Sequence, residues 1–159
     1  MIDPDLILRL LHVVSACVLL GTGVGIAFFM LMAHRSGDPR TIAHTAGVVV
    51  LADLIFTATA VIAQPVTGAL LAWRLGWSLF EGWIMLSLLL YALVGTFWLP
   101  VVWIQIKLRD YAVTAAKSGQ AMPDAYYRLF RIWFACGVPA FLAVLAIIWL
   151  MLARPDIAF

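Results

Sequence analysis

The chain has 159 residues, of which 65% are hydrophobic and 11% are charged, and its formal net charge is +2. Soluble domains are about half apolar and about a quarter charged, so this composition excludes a water-soluble fold. The small net charge gives no reason to expect a nucleic acid as a partner. The sequence predicts one domain whose solvent is the lipid bilayer.

Four apolar segments are long enough to cross the hydrocarbon core, which takes about 20 helical residues. They cover approximately residues 6–32, 45–71, 79–106 and 132–152, and the third continues as a helix to about residue 116. The predicted fold class is therefore all-α, an integral membrane four-helix bundle formed by residues 1–159.

Lys and Arg predict the orientation, because they are enriched on the cytoplasmic side of membrane proteins. Arg9, Arg74 and Arg154 fall on one side of the predicted bundle. The other side has Arg35, Arg40, Lys107, Arg109, Lys117, Arg128 and Arg131. We therefore expect the first and third connections in the cytoplasm, both termini in the periplasm, and a multi-pass protein of the bacterial inner membrane.

The first segment includes RLLHVVSACVLLGTGVG, residues 9–25, in which one histidine interrupts an apolar run. At helical periodicity His12 shares a face with Ser15, Thr22 and Gly23. An imidazole facing lipid has no partner, so this face is predicted to point at other helices. His12 can ligate a metal, or it can form a structural hydrogen bond.

The second segment carries nearly all its polar residues on one stripe about 100° wide. The stripe includes Asp53, Thr57, Gln64, Thr67 and Gly68. A carboxylate at mid-membrane costs about 2.5–3.5 kcal/mol on insertion scales, so Asp53 needs a partner or a wet cavity. Two interpretations stay open: a structural hydrogen bond, or a group that relays protons or contacts a ligand.

Depth along the helices sorts these groups into two layers. The outer layer is predicted to bring together His12, Gln64 and Ser87, about 9–12 Å inside their helix ends, with Tyr91 just below. Asp53 lies about 12 Å from the cytoplasmic boundary, in an inner layer near Trp98. On the third segment, Ser87, Tyr91, Trp98 and Gln105 line one face.

Gly21 and Gly25 form a GxxxG motif on the face opposite His12. Small residues at this spacing allow close approach of a second helix. The partner can belong to the same bundle or to a second copy, and the position favours a homodimer.

Three stretches together resemble an uncharacterised family of bacterial four-helix membrane proteins, a domain of unknown function, over nearly the whole chain. They are LLHVVSACVLLGTGVGIAFFML, AQPVTGALLAWRLGWSLFEGWIMLSLLLYA and RLFRIWFACGVPAFLAVLAIIWLMLARP. The resemblance implies the four-helix fold and brings no activity with it.

More distantly, the pattern is similar to HemJ-type protoporphyrinogen oxidases and to CopD-type copper-resistance membrane domains. The oxidase resemblance implies heme b with His12 as an iron ligand and Arg9 and Arg74 near the propionates; Gln64 and Met85 are candidates for the opposite ligand. Ser87 stands where that family has a lysine. Cys136-Gly137 stand where it has Asn-Glu before Val-Pro.

Two classes of function follow. The first is a heme-b redox protein, for which His12, Gln64, Ser87, Tyr91 and Arg9 are the cofactor-binding candidates. The second is a non-enzymatic accessory subunit or a small-molecule or proton carrier, with a structural His12 and a polar lining of Asp53, Gln64 and Tyr91. Copper handling is least favoured, since soft-metal sites need clustered Cys or Met ligands and the methionines are dispersed.

Overall fold

The structure, a computed structural model, describes residues 3–158, and its regular secondary structure within that range is helical throughout. Four helices are long and apolar enough to cross a membrane. They are α1 (Pro4–Ser36), α2 (Pro39–Leu75), α3 (Gly82–Ser118) and α4 (Asp124–Ala153). The predicted all-α class with four membrane-spanning helices is confirmed.

The helices extend beyond most of the predicted spans because capping, and not hydropathy alone, determines where a helix begins. Asp38 caps α2: its carboxylate accepts hydrogen bonds from the backbone amides of Arg40 and Thr41, and Pro39 follows at the first helical position. The helix thus begins at Pro39 and not near residue 45. Likewise α4 begins at Asp124, directly after Pro123, and not near residue 132. α3 begins at Gly82, later than the predicted residue 79.

One turn of α2 has a different geometry. Residues Asp53–Thr57 form a π-helical turn, in which the Ala58 amide donates to the Asp53 carbonyl five residues earlier. Such turns are rare and are found frequently at functional sites. The wider turn leaves both Asp53 and Thr57 buried on the inner side of α2.

The helices pack as two hairpins, α1 with α2 and α3 with α4, which meet mainly at one end. This end, called the closed end, includes the α1–α2 and α3–α4 connections. Its core contains Ile26, Met30, Ile42, Val49, Ile104, Leu108, Tyr126 and Phe130. His34 stacks on Phe130 there, with ring centroids 3.7 Å apart, so this histidine is partly buried.

The opposite end, called the terminal end, has the start of α1, the end of α4 and the α2–α3 connection. Arg74 and Asp5 form an ion pair of 2.7 Å that links α2 to α1. The Arg154 guanidinium lies 4.6 Å from the centroid of the Trp77 ring, near the start of α3. Contacts between the hairpins are sparse at this level, because the Ala58–Leu75 part of α2 hardly touches α3. The two hairpins therefore enclose a space between them.

Candidate binding cavity between the helices

A cavity of about 550 Å³ lies between the two hairpins, and all four helices contribute to its wall. Small-molecule sites in proteins have volumes of about 300–1,000 Å³, so this cavity is large enough for such a ligand. Most of the wall is apolar, and it includes Leu19, Ala27, Val94, Val101 and Ile148.

Four polar atoms that belong to residues of this wall have almost no accessible surface of their own and no hydrogen-bond partner among the described residues. They are Asp53 Oδ2, Thr57 Oγ1, Gln105 Oε1 and Trp133 Nε1. The four side chains are between 4% and 7% exposed. Native proteins leave few buried polar atoms unpaired, and each one calls for an explanation such as a bound molecule. Here all four belong to side chains that line one cavity, and the Thr57 hydroxyl lies near the Asp53 carboxyl group on the same π-helical turn.

Asp53 is held by α3. Its Oδ1 accepts a hydrogen bond from Trp98 Nε1 at 3.3 Å, whereas Oδ2 is unpaired. The structure thus places Asp53 beside Trp98, as the depth argument predicts. The carboxyl group lies on the π-helical turn, one turn before Thr57.

Tyr91 crosses from α3 to α2 and donates a hydrogen bond to the Val61 carbonyl at 2.6 Å. Pro65, four residues after Val61, has no amide hydrogen, so this carbonyl lacks its usual partner within the helix. The Tyr91 hydroxyl supplies the missing donor. Tyr91 therefore has a structural hydrogen bond, and its side chain also forms part of the cavity wall.

His12 belongs to a separate network between α1 and α2. Its Nδ1 lies 2.8 Å from Thr67 Oγ1, and the Thr67 hydroxyl donates to the Ala63 carbonyl at 2.6 Å. Because the Thr67 hydroxyl proton is used in the bond to Ala63, the hydrogen bond between His12 and Thr67 needs its proton from the imidazole. Nδ1–H is therefore the donor, and Nε2 carries the lone pair. Gln64 Nε2 donates to the His12 carbonyl at 2.8 Å and to Ser15 Oγ at 2.9 Å.

The structure brings His12 and Gln64 together, but it does not bring Ser87 to them. The Ser87 hydroxyl donates to the Trp83 carbonyl of its own helix at 2.7 Å. Equal depth was the basis for grouping these three residues, and α2 and α3 are separated at that depth. Arg9 is exposed near the start of α1.

Sequence reasoning did not select Gln105 and Trp133 as site residues. Gln105 shared a face with Tyr91 and Trp98, which was a usable signal. The predicted span 132–152 places Trp133 at the end of its helix, where a buried site residue is not expected. Because α4 begins at Asp124, Trp133 lies more than two turns inside the helix and is 5% exposed.

The helices pack closely around His12, and the heme site that the oxidase resemblance implies stays a prediction. The ring packs on Gly68, where a Cβ atom would lie 3.2 Å from His12 Cε1. The Gln64 amide is committed to α1, and Met85 lies on α3, which α1 scarcely contacts. His12 is not part of the cavity wall. Residues 3–158 contain no group of three or more His, Cys, Asp or Glu placed to hold a metal ion, a finding that does not bear on heme, which one or two side chains can ligate.

Comparisons with known proteins agree with this architecture. A family model described as "Predicted integral membrane protein (DUF2269)" matches residues 6–155. No curated protein and no solved structure matches the chain. The similarities to HemJ-type and CopD-type proteins stay predictions. Since the family model covers nearly the whole chain, the protein belongs to the DUF2269 family of integral membrane proteins.

Proposed function

We propose that this protein binds a lipid-soluble small molecule in the cavity between its helix hairpins and serves as a non-enzymatic carrier or accessory subunit. The observation that carries the proposal is the grouping of four unpaired buried polar atoms on one cavity. An unpaired buried polar atom costs about 1–3 kcal/mol. A ligand that enters the cavity, and pairs with several of these atoms once their side chains rotate toward it, recovers much of that cost.

The route of entry supports a ligand that is dissolved in the bilayer. Exposed apolar side chains of α1 and α4 also line the cavity, among them Val24, Phe28, Phe134 and Phe141. In a membrane these exposed residues face acyl chains. The cavity therefore opens sideways along the seam between α1 and α4, where the two helices make few contacts.

A bulky substitution inside the cavity tests this function. Gly95 lines the cavity, and a Cβ atom built there meets nothing within 4 Å. Gly95→Phe fills the space from α3. The matched control is Ala92→Phe, because Ala92 is exposed on the same helix and lies outside the cavity wall.

Binding is measured by equilibrium dialysis of triphenylphosphine oxide, an uncharged lipid-soluble probe, against the protein in nanodiscs, after subtraction of the signal from empty nanodiscs. We expect saturable binding to the wild type and to Ala92→Phe, and a loss of about tenfold or more in affinity for Gly95→Phe. Equal binding to Gly95→Phe and Ala92→Phe contradicts the proposal.

Heme-b binding at His12 is the alternative. The observation that favours it is the Nδ1–H···Thr67 hydrogen bond, which leaves Nε2 free, since metal-ligating histidines commonly donate their other N–H in this way. Bound heme would supply one-electron chemistry at the iron, and the role of this chain would be to orient the imidazole. Oxidised and reduced absorption spectra after heme-supplemented expression test it: a Soret band that is lost in His12→Ala supports heme, and a colourless protein excludes it.

The orientation proposed for this function is the one that Lys and Arg predict, with both termini in the periplasm of a bacterial inner membrane. A C-terminal alkaline phosphatase fusion is then active, and a C-terminal green fluorescent protein fusion is dark. The reverse pattern contradicts this orientation.

A homodimer through Gly21 and Gly25 is part of the same proposal. A Cβ atom at Gly21 meets nothing within 4 Å, and at Gly25 it approaches only Phe29 of the same helix. The motif therefore remains open to a second copy. Light scattering in mild detergent should give a dimer mass for the wild type and for Ala92→Leu, and a monomer mass for Gly21→Leu with Gly25→Leu. Equal masses for the three proteins contradict a dimer that forms through Gly21 and Gly25.

A further inference from the structure

The cavity wall contains one acidic side chain and no basic one. Among the described residues that line it, Asp53 has the only carboxyl group, and there is no Lys, Arg or His. Tyr91 of α3 is the one other titratable group on the wall, and its hydroxyl is committed to the Val61 carbonyl. The lining residues of α1 and α4 are not titratable. An anionic ligand would thus meet no positive charge in the cavity.

Asp53 is placed to act as a counter-ion. The carboxyl group is 4% exposed, Trp98 donates to Oδ1, and Oδ2 has no partner among the described residues. An unpaired carboxylate is costly in apolar surroundings. Its charge is neutralised either by a proton or by a bound cation.

Most of the unpaired atoms are acceptors, and their negative partial charge attracts a cation. Gln105 Oε1 and Asp53 Oδ2 can only accept hydrogen bonds when Asp53 is ionised, and the Thr57 hydroxyl can accept one; Trp133 Nε1–H alone is solely a donor. Aromatic side chains surround the same space, including Phe97, Trp98 and Phe134. Their ring faces attract cations, and more strongly where water is excluded.

We propose that the ligand is a lipophilic cation and that Asp53 is its counter-ion. The inference rests on the proposed function, because it names the class of molecule that the same cavity takes. Without ligand the Asp53 carboxyl group keeps a proton. When the cation binds, this proton leaves to solvent and the cation pairs with the carboxylate, so the charge in the cavity stays balanced. Cation and proton compete for one site, and the affinity for the cation increases with pH.

Tetraphenylphosphonium is the test cation, and triphenylphosphine oxide is the uncharged probe of related shape. Both are measured by equilibrium dialysis in the same nanodiscs from mildly acidic to mildly alkaline pH. We expect the wild type to bind the cation more tightly as pH increases. Asp53→Asn keeps the shape of the side chain, and it should lower the ratio of cation affinity to neutral-probe affinity about tenfold or more and remove its pH dependence.

Asp110→Asn is the matched control, because Asp110 is an exposed residue of α3 that pairs with Arg109 outside the cavity. It should behave as the wild type with both probes. If Asp53→Asn leaves the ratio and its pH dependence unchanged while Gly95→Phe weakens both probes, the cation inference is wrong and the proposed function stands. If Gly95→Phe weakens neither probe, the proposed function itself fails.

Discussion

The Val61 carbonyl of α2 needs a hydrogen-bond donor that only another helix can supply. Pro65 cannot donate to the Val61 carbonyl, and in the bilayer interior no water replaces the missing donor. Tyr91 meets the requirement from α3 with a hydrogen bond of 2.6 Å. One hydroxyl thus links the two hairpins at a level where their backbones are well separated.

Removal of this hydroxyl should destabilise the protein. We expect Tyr91→Phe to lower the free energy of unfolding by about 1 kcal/mol, since it leaves the Val61 carbonyl without a donor. Pro65→Ala restores an amide hydrogen to the helix. The cost of Tyr91→Phe should therefore be much smaller in the Pro65→Ala background.

A double-mutant cycle from denaturant unfolding in mild detergent measures this coupling. If the two changes are additive, the Tyr91 hydroxyl does not compensate for Pro65.

Asp38 determines where α2 begins, so a change at this residue affects the stability of the whole helix. Its carboxylate accepts from the Thr41 hydroxyl at 2.6 Å, from the Thr41 amide at 2.9 Å and from the Arg40 amide at 3.3 Å. These hydrogen bonds, that of the Thr41 hydroxyl above all, hold the pKa of Asp38 below its ordinary value. The cap therefore stabilises the folded protein fully above the unfolded-state pKa of about 3.9, and this contribution is lost as pH falls through the lower folded-state pKa.

We expect Asp38→Ala to lower the melting temperature in detergent at neutral pH, with Asp110→Ala as the control for loss of an exposed carboxylate. The gap between the wild type and Asp38→Ala should close as the pH is lowered below about 4. A gap that stays constant down to acidic pH contradicts a stabilising role for the ionised cap.

The elements also explain how much the sequence could predict. Hydropathy and periodicity are properties of one helix, so they correctly predicted four helices and the buried stripe that contains Asp53 and Thr57. Which helices touch at a given depth depends on packing between helices. Depth alone thus predicts Ser87 beside His12, although the Ser87 hydroxyl bonds to Trp83 of its own helix, and it predicts Asp53 beside Trp98, where the structure has a hydrogen bond. The π-helical turn and the start of α4 depend on backbone hydrogen bonds, and the hydropathy of the sequence does not reveal these.

The whole molecule is asymmetric along its helices. At the closed end the four helices share one core around Met30, Leu108 and Tyr126, each at most 1% exposed. At the terminal end each hairpin has its own stabilising contact, Asp5 with Arg74 and Arg154 with Trp77, and the cavity lies between this end and the closed-end core. Regions with few tertiary contacts open at lower free energy than packed cores. The hairpins should therefore move relative to each other at the terminal end while the closed end stays fixed.

Distances between pairs of spin labels on α2 and α3 test this asymmetry. Exposed positions serve as label sites: Ala69 with Leu88 for the terminal end, and His44 with Thr114 for the closed end. Cys17 and Cys136, the two native cysteines, are first replaced by alanine.

In nanodiscs without added ligand we expect a clearly broader distance distribution for the terminal pair. Tetraphenylphosphonium should narrow this distribution, because a ligand that contacts both hairpins restricts their separation, and it should leave the closed-end pair unchanged. Equal widths for the two pairs mean that the hairpins form one rigid body and that entry to the cavity needs another route.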